Sequence, residues 1–325
     1  MPRNPNKKIN IIDWLLKSDP SIRWQVLRDL KNANHNEIEK ERALISKKGW
    51  GKLLLSHQTK DGRWAESLYS RKWISTTYSM LLLKDLGLPS KHTSALKACA
   101  LLLDKGFYHD HGINYFPSYK YGETCVTGMI LSILACFNYT DDRIHLLVSH
   151  LLERQMKDGG WNCQLPHGAV HGSFHTTISV LEGLWDYEQL FPDKSSESFN
   201  ARQSAHEFLL RHQLYRSHRT GEIIDPRMTR FSFPCRWRYD IMRALDYFQS
   251  ASVDYDSRMD DALNLIKKKM NSDGMWNLQQ RHAGRTFFEI EETGKPSRWI
   301  TMRALRILKK YDPDLYNNLT ALSKP

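Results

Sequence analysis

Two short segments of the sequence bring together residue types that ligate metals, transfer protons or act as nucleophiles. Residues 120–125 read Lys-Tyr-Gly-Glu-Thr-Cys, and residues 173–177 read Ser-Phe-His-Thr-Thr. Cys125 and His175 are 50 residues apart. Taken singly, a free cysteine is most often a small buried residue, and a histidine at a helix start is commonly satisfied by hydrogen bonds. Together with the carboxylate of Glu123 they form a candidate site.

A short helical signature positions both segments, because it returns six times along the chain. Its copies begin at residues 23, 77, 127, 177, 238 and 298, at intervals of 54, 50, 50, 61 and 60 residues. The clearest copies read Arg-Trp/Tyr-x-x-Leu/Met-Arg-x-Leu, and the loosest copy begins at Thr77 and ends in Lys84. Self-similarity at this period indicates one supersecondary unit that buries its apolar face against its neighbours.

Each signature lies in an amphipathic stretch of helical period, and another such stretch precedes it. The signature helices are predicted at 20–31, 73–87, 123–137, 175–190, 235–249 and 297–310. The preceding helices are predicted at 8–17, 40–58, 93–105, 143–157, 202–215 and 257–271. The sequence therefore predicts twelve helices in six pairs. Residues 158–173 contain several glycines and a proline and are predicted to form a loop.

The joints between the paired helices carry a second repeat. Its copies are Gln58-x-x-x-Gly62-x-Trp64, Gln155-x-x-x-Gly159-x-Trp161 and Met270-x-x-x-Gly274-x-Trp276. A glutamine at a helix end can bond free backbone groups, glycine permits the reversal and tryptophan stacks over it, which is a structural role. These motifs resemble the QW-type repeats of the terpenoid cyclase and protein prenyltransferase superfamily. The resemblance implies an all-α fold, in which residues 1–325 form a single (α/α)6 toroid of six inner and six outer helices.

The resemblance also implies roles for the two chemical segments. In the zinc-containing β subunits of protein prenyltransferases, three side chains bind zinc. An acidic residue and a cysteine two positions after it lie at the start of one inner helix. The histidine of a His-Thr pair lies at the start of a later inner helix. Glu123, Cys125 and His175 resemble that catalytic and metal-binding set. Lys120 resembles the lysine that contacts the diphosphate in the same family. Carboxylate, thiolate and imidazole are normal zinc ligands, and three of them leave the open position that catalytic zinc requires. The implied reaction is zinc-dependent alkylation of a nucleophile by an isoprenoid diphosphate.

A closed ring of parallel inner helices would direct six helix N-termini, with partial positive charge and free N–H groups, towards one mouth. Arg23, Arg238 and Arg298 begin signatures near that mouth. There they would either bind an anion such as phosphate or pair with nearby carboxylates. An apolar tunnel for the isoprenoid tail is predicted to be lined by Trp24, Tyr78, Tyr239 and Trp299.

Two other functions stay open on the sequence. A metal-independent, terpene cyclase-like enzyme would use a carboxylic acid such as Glu123 or Asp240. A non-catalytic binding module would hold an anionic lipid or a phosphorylated ligand at the basic mouth. The sequence does not indicate a partner subunit.

Charge, cysteine content and hydropathy limit the range of possible functions. The net charge of +11 favours anionic partners, but the charges are interleaved and there is no basic tail or RNA-binding motif, so nucleic acid is disfavoured. Five scattered cysteines are not typical of a disulfide framework and favour the cytoplasm. No run approaches the roughly 18 apolar residues of a membrane span. The polar first residues do not resemble a signal peptide.

Overall fold

The computed structural model describes residues 10–321, and over that range the chain is all-α, as predicted. Its fourteen α-helices are α1 (Ile11–Leu16), α2 (Pro20–Gln25), α3 (His35–Arg42), α4 (Gly49–Leu55), α5 (Thr76–Leu86), α6 (Thr93–Gly106), α7 (Thr124–Cys136), α8 (Arg143–Glu153), α9 (Phe174–Leu190), α10 (Ser196–Arg211), α11 (Ile241–Ser250), α12 (Asp260–Lys268), α13 (Arg298–Tyr311) and α14 (Pro313–Thr320). A π-helical turn, Val26–Leu30, extends α2. Between residues 10 and 321, no helix combines the length and the apolar character that crossing a membrane requires.

All six signature helices are present, as α2 with its π-helical turn, α5, α7, α9, α11 and α13. The predicted start of the fifth, at residue 235, is wrong. The helix begins at Ile241, because the side chain of Asp240 caps it by accepting the backbone N–H of Arg243 at 2.9 Å. Arg238 and Tyr239 therefore precede the helix instead of forming its first turn.

One prediction among the preceding helices is wrong, namely that of a single helix at 40–58. The chain forms the shorter helices α3 and α4, with a turn between them. Gly49 begins α4 with a φ of +61°, a left-handed conformation that interrupts a regular helix and that glycine adopts without strain. Helix α14 was not predicted, and it is fixed to the first signature helix by Tyr316, whose hydroxyl donates to the Leu30 carbonyl at 3.1 Å.

The joint tryptophans confirm the structural role of the Gln-Gly-Trp repeat. Each indole N–H donates to a carbonyl ten residues earlier, Trp64 to Leu54 at 2.8 Å, Trp161 to Leu151 at 2.7 Å and Trp276 to Ile266 at 2.8 Å. Each backbone N–H donates to a threonine hydroxyl of the next signature helix, on Thr76 at 3.1 Å, Thr177 at 2.9 Å and Thr301 at 3.0 Å. Each joint thus ties a preceding helix to its signature helix.

The signature helices contact one another along the chain, α5 with α7, α7 with α9 and α11 with α13. The closest approach is between α7 and α9, where a Cβ on Gly183 would lie 2.5 Å from the carbonyl oxygen of Gly128. The last signature helix also contacts the first, since Arg306 Nη1 lies 3.0 Å from Asp29 Oδ2.

Residues 233–236 occupy part of the space between the signature helices. Phe233 stacks on Trp299 of α13, with ring centroids 3.9 Å apart and an interplanar angle of 11°. The Cys235 sulfur accepts a hydrogen bond from Arg303 Nη1 at 3.0 Å. The segment predicted as the start of a helix therefore occupies the interior, where an open tunnel was expected.

Candidate functional site

Two of the three predicted zinc ligands lie together at the start of α7. Glu123 precedes the helix, and its Oε2 is buried with no hydrogen-bond partner among residues 10–321. Burial, followed by the nearby Cys163, raises the pKa of Glu123 to about 7. Cys125 shares a hydrogen bond with Cys163, which together with burial raises the pKa of the Cys125 thiol well above its usual range. The same hydrogen bond lowers the pKa of Cys163 to about 6, against the effect of burial.

The third predicted ligand, His175, is held by a different set of contacts. Its Nδ1 accepts the backbone N–H of Tyr239 at 2.8 Å, and its ring packs edge-on against Trp237 with centroids 5.1 Å apart. Across residues 10–321, no three His, Cys, Asp or Glu side chains are grouped so that they could hold a metal ion. The zinc set Glu123, Cys125 and His175 therefore stays a prediction that the described geometry does not assemble, and we derive no chemical step from it.

The three arginines predicted at the mouth, and Lys120, which the resemblance places at the diphosphate, are in four different environments. Arg23 pairs with Glu41, its Nε lying 2.7 Å from Oε1, as the ion-pair alternative expects. The guanidinium of Arg298 lies 4.5 Å from the ring centroid of Trp14. Lys120 is exposed in the loop before α7. Arg238 borders a cavity together with His175 and Tyr239.

We call this cavity the mouth pocket. It has a volume of about 150 Å³ and is lined by His175, Asp225, Arg227, Met228, Arg238, Tyr239, Gln280, Arg281, His282 and Ala283. Its single carboxylate, Asp225, is already paired with Arg227 at 2.7 Å. Arg238 Nε is buried and has no hydrogen-bond partner among residues 10–321, although its guanidinium lies 4.7 Å from the ring centroid of Trp237. The pocket therefore presents a positive charge without a matching anion.

The two histidines of the mouth pocket are held neutral. Burial, together with the nearby guanidinium of Arg238, lowers the pKa of His175 to about 4 and that of His282 to about 4. His175 accepts at Nδ1, so in the neutral form its Nε2 carries the proton and is a donor. His282 Nε2 lies 3.1 Å from the hydroxyl of Ser232. Because the Ser232 hydroxyl donates to Asp240, the single N–H of neutral His282 is its Nε2–H, which donates to Ser232. Of the two imidazoles, His175 is therefore the one with an N–H free for an anionic ligand.

The comparisons with known proteins do not extend this description. No protein-family model and no curated protein matches the sequence. Among solved structures, the chain is similar to a protein from Actinoplanes, with 16% identity over 90% of each chain and a TM-score of 0.47. A likeness at this level is too distant to indicate a ligand or an activity.

The four predicted tunnel residues do not line one tunnel. Trp24 and Trp299 border a large cavity among the signature helices, Tyr78 borders a small void next to it, and Tyr239 borders the mouth pocket. Two of them are also fixed by hydrogen bonds, since the Trp24 indole donates to the Leu86 carbonyl at 2.9 Å and the Tyr239 hydroxyl donates to the Leu214 carbonyl. These aromatic residues serve mainly in packing.

Sequence reasoning missed three cationic or imidazole residues of the mouth pocket, Arg227, Arg281 and His282. They lie in loops outside the signature, so the repeat gave no signal for them.

The sequence did carry a signal for the large cavity among the signature helices. The sixth position of the signature is occupied by Arg28, Leu82, Ser132, Glu182, Arg243 and Arg303, which is polar in five of six copies although the helices are largely buried.

Proposed function

We propose that this protein binds a small phosphorylated molecule, or another compact anion, in the mouth pocket. The observation that supports this function is the guanidinium of Arg238, which borders the pocket with a buried Nε that has no hydrogen-bond partner among residues 10–321. Arg227, Arg281 and the two histidines surround it. Arg227 already pairs with Asp225 and Arg281 with Glu289, so the acceptor that is missing is the one for Arg238. A phosphate would supply it, and charge-assisted hydrogen bonds of this kind are among the stronger ones in proteins.

The size of the pocket limits the ligand. Pockets for drug-sized molecules usually have volumes of roughly 300–1,000 Å³. At about 150 Å³, the mouth pocket suits one phosphate-sized head group with a short substituent. An isoprenoid diphosphate would also need an apolar tunnel, and residues 233–236 occupy the interior where we expected that tunnel. Among the functions that the sequence left open, we therefore favour anion binding over zinc-dependent prenyl transfer.

A second candidate function is acid catalysis at Glu123, in a metal-independent, cyclase-like reaction. Its support is the buried Oε2 without a partner among residues 10–321 and a pKa of about 7, which suits a group that must be protonated at neutral pH. The other acid considered, Asp240, accepts hydrogen bonds from the Ser232 hydroxyl and from the backbone N–H of Arg243, each at 2.9 Å. Asp240 is thus committed to capping α11.

Two finer structural proposals accompany this function. We propose that the six signature helices and their partners close into an (α/α)6 toroid, supported by the contact of Arg306 with Asp29 between the last and the first signature helix. We also propose a cytoplasmic location, supported by five cysteines that are all free thiols.

Inorganic phosphate is the probe for the anion-binding function. We expect it to raise the melting temperature of the protein saturably, beyond the effect of sodium chloride at equal ionic strength. Arg238→Met should weaken phosphate binding at least tenfold in calorimetric titration, because it removes the unpaired guanidinium. Arg298→Met is the matched control, since Arg298 begins the corresponding signature copy but lies against Trp14 outside the pocket. The function is wrong if phosphate does not bind saturably, or if both variants lose affinity equally.

A further inference from the structure

Two cysteines from different parts of the chain meet beside the start of α9. Cys125 lies in the first turn of α7, and Cys163 lies in the loop between α8 and α9. The Cys125 thiol donates a hydrogen bond to the Cys163 sulfur. Both cysteines are free thiols. Two sulfurs in hydrogen-bond contact are close neighbours, which is the first requirement for forming a disulfide.

The packing of α7 on α9 holds the two cysteines near each other. The backbone N–H of Cys163 donates to the Thr176 hydroxyl at 3.3 Å, which ties the loop to the first turn of α9. Helix α7 approaches α9 so closely that a Cβ on Gly128 would lie 2.8 Å from the carbonyl oxygen of Ser179. Cys125 and Thr176 each lie about one helical turn before these two contact residues. The helix packing therefore brings Cys125 towards the residue that anchors Cys163.

The pair can be reached from solvent at Cys163. The side chain of Cys163 is half-buried, and residues 164 and 166–168 beside it are exposed. Its sulfur accepts hydrogen bonds from the Cys125 thiol and from the Thr176 hydroxyl. Because Cys125 carries the proton of the shared hydrogen bond, Cys163 is the nucleophile of the pair.

The other three cysteines are in different environments. Cys99 and Cys235 are buried, and the Cys235 thiol donates to the Ser232 carbonyl at 3.3 Å. Cys136 ends α7, the helix that Cys125 begins, and it is also half-buried. Burial raises the pKa of the Cys136 thiol to about 11, so it is an unreactive thiol. Cys136 is therefore an internal control for the pair.

We infer that Cys163 and Cys125 form a site of reversible oxidation by hydrogen peroxide. The Cys163 sulfur attacks one peroxide oxygen, so that an S–O bond forms and the O–O bond breaks. The departing hydroxide takes up the proton of the Cys163 thiol and leaves as water. The Cys125 sulfur then attacks the sulfenic acid, which forms the S–S bond and releases the hydroxyl with the Cys125 proton as a second water. The two thiols lose two electrons, and one peroxide becomes two water molecules.

This site does not rest on the anion-binding function. Neither cysteine lines the mouth pocket. The disulfide would join the loop before α9 to the first turn of α7, next to Glu123. In the cytoplasm, disulfides are usually transient and serve catalysis or redox sensing, which suits a reversible pair.

Treatment of the full-length protein with hydrogen peroxide tests the inference, with EDTA present to exclude metal-catalysed oxidation. The intact mass should fall by two hydrogen atoms, peptide mapping should locate a Cys125–Cys163 disulfide, and dithiothreitol should restore both thiols. In Cys125→Ser the second step cannot occur, so dimedone, a reagent for sulfenic acids, should label Cys163 at least tenfold faster than Cys136. Cys136→Ser is the matched control and should form the disulfide at the wild-type rate.

The outcomes separate this site from the mouth pocket. Arg238→Met should form the disulfide at the wild-type rate even where it loses phosphate binding. The inference is overturned if the peptide map of the oxidised protein contains no Cys125–Cys163 disulfide. It is also overturned if Cys136→Ser abolishes the disulfide, or if dimedone labels Cys163 and Cys136 equally in Cys125→Ser. Should Cys125→Ser fail to fold, the peptide map of the wild-type protein still decides between these results.

Discussion

The Gln-Gly-Trp joints and the two cavities use the same kinds of side chain in opposite ways. At the joints, the indole N–H groups of Trp64, Trp161 and Trp276 each donate to a backbone carbonyl within 2.8 Å. Trp299 borders the large cavity among the signature helices, and Trp237 packs against His175 and Arg238 of the mouth pocket. The indole N–H groups of both are buried and have no acceptor among residues 10–321. The joint indoles are paired without a ligand, and these two are not.

This difference teaches where to look for function in a repeat protein of this kind. Buried polar groups are usually hydrogen-bonded, and an unpaired one destabilises the fold unless something else supplies its partner. Here such groups include Arg238 Nε at the mouth pocket and the indole N–H of Trp299 at the large cavity among the signature helices. A ligand in either cavity would supply the partner that these groups lack.

The largest expected effect comes from breaking a joint. Trp161→Ala removes a fully buried ring and its hydrogen bond to Leu151, so we expect the free energy of unfolding to fall by about 3–5 kcal/mol. Trp237→Ala removes a half-buried ring that packs against His175 and Arg238, and it should lower the free energy of unfolding by only about 1 kcal/mol. Urea denaturation measures both values. Equal losses in the two variants would remove the distinction between joint and cavity.

A smaller effect is expected from one hydrogen bond of the same joint. Thr177→Val leaves the backbone N–H of Trp161 without its acceptor at 2.9 Å, which should lower the free energy of unfolding by about 1–3 kcal/mol. Thr177→Ser keeps the hydroxyl and should lose clearly less. If valine and serine have the same effect in urea denaturation, packing rather than the hydrogen bond stabilises the joint.

The sequence predicted the joints well because their interactions are local. The indole of Trp161 reaches a carbonyl only ten residues earlier, and its backbone reaches Thr177 at the start of the next helix. The sites were harder to predict because their residues are distant in sequence. Arg238 was expected at an anion site, but Arg281 and His282 join it from a loop with no periodic pattern.

The interior was the least predictable part, for a specific physical reason. The fifth signature helix was predicted to begin at residue 235, but Asp240 caps α11 and delays its start to Ile241. The segment before the helix, which includes Phe233 and Cys235, packs into the space expected to be an apolar tunnel. Because one helix begins six residues later than predicted, the space expected for an isoprenoid tail is occupied, and we favour a compact anion as the ligand.

The smallest expected effect has the opposite sign to those at the joint. Burial raises the pKa of Asp85 above its ordinary value of 3.8, so ionising it at pH 7 destabilises the folded state. Asp85→Asn should therefore increase the free energy of unfolding at pH 7 by about 0.5–1 kcal/mol. The gain should shrink as pH falls through the raised pKa of Asp85 and disappear below pH 3.8, where the wild-type carboxyl becomes neutral in both states.

Asp246→Asn is the matched test of that sign, because Asp246 is a paired carboxylate that lines the large cavity among the signature helices together with Asp85. The substitution removes the negative charge that the guanidinium groups of Arg303 and Arg306 share, so the free energy of unfolding at pH 7 should decrease. Urea denaturation of both variants measures the contrast. If Asp85→Asn destabilises the protein as Asp246→Asn does, then Asp85 is a structural residue of the wall. In that case its carboxylate is satisfied without a ligand, and the large cavity among the signature helices resembles the joints.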